Sequence, residues 1–106
     1  MKSLKVLFAS GVGSVTGANF LFETEKAKFL VDCGLIQGTS EASELNGKPF
    51  TYDVADVDYL FVTHAHIDHI GRIPMLFAQG FTGEIYSTHE TRELAYLMLH
   101  DALRIM

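Results

Sequence analysis

The sequence predicts a mixed α/β (α+β) fold in which mostly antiparallel strands come first and βα units follow. Short apolar segments crowd the first third of the chain with brief turns between them, and connections that short join strands antiparallel. Further along, a short strand-like run gives way to residues at helical spacing, and this happens twice.

Leu4 to Ser10 alternates apolar residues into a Gly-rich turn, Asn19 to Thr24 reads as a second strand, and Lys28 to Val31 follows the polar Glu25-Lys26 turn as a third. Gln37 to Pro49 is polar and without period. It is expected to be a surface loop able to carry substrate contacts, before Phe50 and Tyr52 re-enter the body. The run Tyr59-Leu60-Phe61-Val62-Thr63 predicts a strand buried on both faces. From Asp68 onward, Ile70, Ile73, Leu76 and Phe77 recur at helical spacing, with Asp68 placed where a carboxylate caps free amides. Gly83 to Ser87 predicts another strand, and Thr88 to Met106 a long helix with the apolar stripe Leu94, Leu97, Met98, Ala102 and Ile105. That helix meets no Gly, Asn or Pro stop signal before the last residue, which reads as truncation of a larger domain.

With 106 residues, 48% of them hydrophobic, the chain suffices for one domain at most. Thirteen acidic against eight basic residues leave a formal charge of -5, so no general positive field is present to hold a nucleic-acid backbone, and any such groove has to lie elsewhere. The single cysteine, Cys33, cannot form an intramolecular disulfide and reads as a packed core thiol suited to a reducing cytoplasm. Val6 to Ala9 is far too short to span a membrane, and Met1-Lys2-Ser3-Leu4-Lys5 lacks the apolar region of a secretory signal. A cytoplasmic location without a membrane partner is expected.

His64, His66, Asp68 and His69 fall within six residues and include three of the five histidines. Packing does not call for so many ligating groups together. On an extended segment, residues two apart face one side, so His64 and His66 can close on one ion, with Asp68 and His69 at the following turn meeting a second. Neutral imidazole and carboxylate suit two Zn2+, and Mn2+ or Fe can take the same ligands. The spacing differs from His-Glu-x-x-His, which excludes the ordinary zincin arrangement.

Thr63-His64-Ala65-His66-Ile67-Asp68-His69 resembles the His-x-His-x-Asp-His signature of the metallo-β-lactamase superfamily. Leu30-Val31-Asp32-Cys33-Gly34-Leu35-Ile36-Gln37-Gly38 resembles that family's first motif, and Ile70-Gly71-Arg72-Ile73-Pro74 is similar to the segment after the metal motif in β-CASP ribonucleases. Val15-Thr16-Gly17, Gly83-Glu84-Ile85-Tyr86 and Asp101-Ala102-Leu103 also look like the bacterial and archaeal β-CASP branch. Ser14 and Ala18 depart from it, where relatives commonly carry glutamate and often serine.

The resemblance implies the N-terminal half of an αββα sandwich, residues 1–106 being a partial domain that stops before a later metal-binding histidine, a bridging aspartate and the β-CASP domain. It further implies His64, His66, Asp68 and His69 as ligands, Asp68 also accepting a proton, and Asp32 as the aspartate that supports the metal loop through hydrogen bonds. Gly11, Gly13 and Gly17 are one residue too widely spaced for a dinucleotide fingerprint and read as turn glycines. His89 and His100 read as surface or capping residues, while Arg72 is balanced between a phosphate contact and a surface ion pair.

The implied function is zinc-dependent RNA phosphodiester hydrolysis by a metal-bridged hydroxide, endo- or 5′-exonucleolytic, in the full-length parent. RNA would be held through the missing β-CASP part. A thioester or ester hydrolase of the glyoxalase-like type would carry an identical metal motif. An inert, self-associating interaction fragment is the reading from outside enzymology, since the cluster offers only two protein ligands per ion where a catalytic zinc has three.

Overall fold

The computed structural model describes residues 4–10, 17–37 and 42–105. Strands β1 (Lys5–Ser10), β2 (Asn19–Glu23) and β3 (Lys28–Val31) form an antiparallel meander. Next come helix α1 (Ala42–Gly47), a 3₁₀ turn at Val54–Asp56, strand β4 (Tyr59–Phe61), helices α2 (Ile67–Ile70) and α3 (Ile73–Ala78), strand β5 (Glu84–Tyr86) and helix α4 (His89–Ile105). The five strands lie in sequence order in one sheet, with β4 parallel to both β3 and β5. The expected order, antiparallel strands and then βα units, is therefore observed. Gly11, Gly13, the Ser14-Val15-Thr16 segment, Gly38 and Met106 lie outside the described residues.

Register aligns Leu21, Leu30 and Leu60 across three strands. On that face they pack with Cys33, Val54, Val57, Val62, Ile70, Ile73, Leu76 and Phe81. The alternate positions carry rings. Phe22 stacks on Phe29 at 5.1 Å, Phe29 meets Phe61 edge-on at 5.5 Å, and Phe61 stacks on Tyr86 at 5.6 Å. This second face is open, with Phe61 39% and Tyr86 46% exposed. The expectation of a strand buried on both faces is thus corrected: β4 buries Leu60 on one side and leaves Phe61 half-exposed on the other.

Four further expectations are revised. The segment from Gln37 to Pro49 contains α1, which six residues are too few to announce by period; the Asn46 side chain ties it to both the N–H and the carbonyl of Ile36, each at 2.8 Å. Asp68 does not cap the helix after the cluster. His66 occupies that position without a side-chain cap bond, and Asp68 lies in the first turn. That helix also breaks, because the Arg72 amide donates to the Cys33 carbonyl at 2.9 Å and α3 restarts with Pro74 in its first turn. Finally, α4 meets the core through Ala95 and Leu99, while Leu94 and Leu97 of the expected stripe are 56% and 59% exposed.

Candidate metal centre

The cluster sits where β4 ends and α2 begins, beside the segment that leaves β3. Main-chain bonds clamp these two pieces together: Cys33 N–H donates to the His69 carbonyl at 2.8 Å and Leu35 N–H to the Ile67 carbonyl at 3.0 Å. Ala18 N–H reaches the Asp68 carbonyl at 3.2 Å, so the turn that carries this departure from the family pattern also touches the loop. The approach at Gly34 leaves no room for a side chain, since a Cβ there would stand 1.7 Å from the Asp68 carbonyl oxygen. Gly17 has φ +81°, in keeping with a turn glycine.

Asp32 is the buried hub. Its backbone adopts the left-handed region at φ +61°, tolerated by Asp more readily than by most residues. One carboxylate oxygen accepts the Thr63 amide at 2.8 Å. The other accepts the Thr63 hydroxyl at 2.6 Å and lies 2.8 Å from His69 Nδ1. The Thr63 oxygen in turn lies 3.0 Å from His64 Nδ1. Asn19, also buried, donates to the Asp32 carbonyl at 3.0 Å and accepts from the Tyr52 hydroxyl at 2.9 Å. The loop is thereby held by hydrogen bonds from a residue about thirty positions earlier.

His64 and His66 are exposed, and the side chains of Asp68 and His69 are each 25% exposed. The His64 ring lies 4.8 Å from that of His69 and 6.1 Å from that of His66; His69 Nε2 stands 3.7 Å from an Asp68 oxygen. The four side chains therefore share one surface. Among the described residues, no three His, Cys, Asp or Glu side chains are arranged to hold an ion. The donor set nonetheless fits zinc in kind: neutral imidazoles, a carboxylate, and a histidine whose remote nitrogen rests on a buried carboxylate.

Cys33 lies beside this site without belonging to it. Its side chain is fully buried in the apolar core, and burial pushes its thiol up to about 12. Arg72 is not the surface residue that an exposed ion pair calls for. It is buried, its Nε donates to the Gly34 carbonyl, and its guanidinium lies 5.3 Å from the centre of the Phe50 ring. His89 and His100 are exposed on α4, remote from the cluster in sequence. Sequence reasoning passed over Thr63 as a strand residue and Asn19 as a strand start. An asparagine among apolar strand neighbours was the available signal for the second.

A fold of this kind with a histidine-rich loop at a strand end defines the chain's class: residues 13–104 match the metallo-beta-lactamase superfamily, and the chain belongs to that superfamily. Curated relatives include Ribonuclease TTHA0252 of Thermus thermophilus, 44% identical over 92 residues, covering 87% of this chain and 21% of that protein. Transcription termination factor FttA of Methanosarcina mazei is 34% identical over 107 residues, covering 96% of this chain and 16% of that protein. Both are relatives from the β-CASP branch. The chain thus spans about a fifth of their length. Similar solved structures are the metallo-beta-lactamase fold protein YhfI of Bacillus subtilis, with TM-score 0.51, 28% identity and coverage of 80% of this chain and 37% of that one, and a Cronobacter sakazakii metallo-beta-lactamase with a HARLDQ motif, with TM-score 0.52, 25% identity and coverage of 74% and 28%.

Proposed function

We propose that this span is the first part of a metal-dependent ribonuclease, its remaining metal ligands and a β-CASP domain following in a longer protein. The observation that carries this reading is the convergence of His64, His66, Asp68 and His69 on one surface, held from beneath by Asp32, in a chain whose relatives include a ribonuclease. His64 and His66 would serve one Zn2+, Asp68 and His69 the other, with Mn2+ or Fe as alternative occupants. When bound, two divalent ions supply Lewis acidity that lowers the pKa of water and offsets charge building on a phosphoryl oxygen. The chain's own contribution is orientation: Asp32 fixes the loop through Thr63 and His69, and Asp68 would hold a proton released from the attacking water.

RNA is the proposed substrate, cut endo- or 5′-exonucleolytically, and would be bound by the following domain, because this span carries a net charge of -5. By itself the span holds metal weakly and does not cleave, for its described residues offer no three-ligand cage. The open aromatic sheet face and the exposed Leu94, Tyr96 and Leu97 of α4 favour self-association of the isolated span. Among the described residues no helix is long and apolar enough to cross a membrane. A reducing cytoplasm suits the buried Cys33 thiol.

The test uses the longer protein and a labelled single-stranded RNA. Asp68→Ala is expected to lower cleavage at least about a hundredfold, and chelation to abolish it until zinc or manganese is returned. Near-normal cleavage by the variant, or cleavage surviving verified metal removal, overturns the proposal. Hydrolysis of a thioester with RNA left intact would identify the small-molecule branch instead.

A further inference from the structure

Two contacts of the Asp32 hub determine where protons sit. A carboxylate only accepts, so His69 Nδ1, 2.8 Å from Asp32, carries the hydrogen and leaves the Nε2 lone pair free. The Thr63 hydroxyl has one proton, and it goes to the same carboxylate oxygen at 2.6 Å. Toward His64, 3.0 Å away, the Thr63 oxygen is left with only acceptor capacity. His64 Nδ1 therefore also carries a hydrogen, and its Nε2 is likewise the open nitrogen. Which nitrogen of a histidine is available to a ligand is set by the bond its other nitrogen makes.

We propose that Thr63 is a positioning residue: its hydroxyl relays the buried Asp32 carboxylate to His64, so that one charge fixes the tautomer and ring orientation of two of the cluster's three histidines. Its importance for metal rests on the function proposed above, whereas the proton arrangement does not. The Thr63 main chain and side chain both bind Asp32, so the residue cannot turn its hydroxyl away without losing a charge-assisted bond. Without the hydroxyl, His64 would be free to sample both tautomers, only one of which presents Nε2.

The proton arrangement is read directly by long-range 1H–15N correlation of the histidine rings in the metal-free chain, at a pH of about 8 where imidazole is neutral. The unsubstituted chain is expected to show both His64 and His69 protonated at Nδ1. Thr63→Ser keeps the hydroxyl and should keep this pattern, whereas Thr63→Val should leave His69 unchanged while His64 averages between tautomers. In cobalt titrations of the longer protein Thr63→Val should bind about 10–100-fold more weakly, and Thr63→Ser close to the original strength. His64 protonated at Nε2 in the unsubstituted chain overturns the proposal, and that measurement needs no variant to fold. Equal cobalt affinity in Thr63→Val, or His64 unchanged in it, does the same. Failure of the unsubstituted longer protein to take any cobalt counts instead against the metal reading, with the ring pattern still deciding the role of Thr63.

Discussion

Asp32→Asn separates charge from shape at the hub of the site. Asparagine matches aspartate in size and tolerates the left-handed backbone at φ +61°, so neither a cavity nor new backbone strain is introduced. The amide oxygen can still accept the Thr63 N–H, now made by Asp32 at 2.8 Å. The amide nitrogen then faces the Thr63 hydroxyl and His69 Nδ1, two groups that both donate to Asp32. Each hydrogen bond to a charged partner contributes about 1.5–3 kcal/mol, and rotation of the hydroxyl recovers part of one. The expected loss of stability is therefore about 2–4 kcal/mol. His69 regains a bond only by moving its proton to Nε2, which removes the lone pair aimed away from the hub. Zinc affinity should fall about 10–100-fold, or about 1.4–2.7 kcal/mol. Urea denaturation and competitive zinc titration of the longer protein measure the two quantities, with ring 1H–15N correlation reporting the His69 proton. Unchanged zinc affinity with His69 still protonated at Nδ1 would refute the argument that Asp32 orients the ligand.

Gly34→Ala drives a methyl group into the Asp68 and Ala18 main chain and should cost at least about 2 kcal/mol, whereas Gly47→Ala, where nothing lies within 4 Å, should be neutral or stabilising by up to about 1 kcal/mol; urea midpoints compare them. Cys33 should resist thiol reagents at a pH of about 8 until the chain unfolds. Because burial raises the thiol from 9.0 to about 12, only the unfolded chain releases that proton between these values. The thiol's contribution should be level below pH 9 and lower stability by up to about 1.4 kcal/mol per unit above it, so stability should fall less in Cys33→Ala; identical alkaline profiles would show the thiol is not sequestered. Light scattering of the isolated span should give a mass above the monomer, since Phe8 and Tyr96 are 61% and 69% exposed; a stable monomer contradicts the self-association proposal.

The sequence by itself determined the order of the strands and the spacing of the four candidate ligands. Connections of eight residues between Ser10 and Asn19 and four between Glu23 and Lys28 are too short for a parallel crossover and make β1, β2 and β3 antiparallel, and the spacing from His64 to His69 places four donors at one strand end. Cys33 was readable as a core thiol because it is the chain's single cysteine and has no partner for an intramolecular disulfide. These are local properties, carried by neighbours in the chain. Tertiary structure decided the rest. Arg72 became buried because the Gly34 carbonyl and the Phe50 ring, distant in sequence, meet it there. The helix after the cluster broke because Arg72 N–H bonds Cys33 instead of continuing the helical ladder. Thr63 looked like one more β-branched strand residue until Asp32, 31 positions earlier, accepted both its amide and its hydroxyl. Hydrogen bonds across such separations leave no period in the sequence, since their partners are chosen by how the sheet and helices pack.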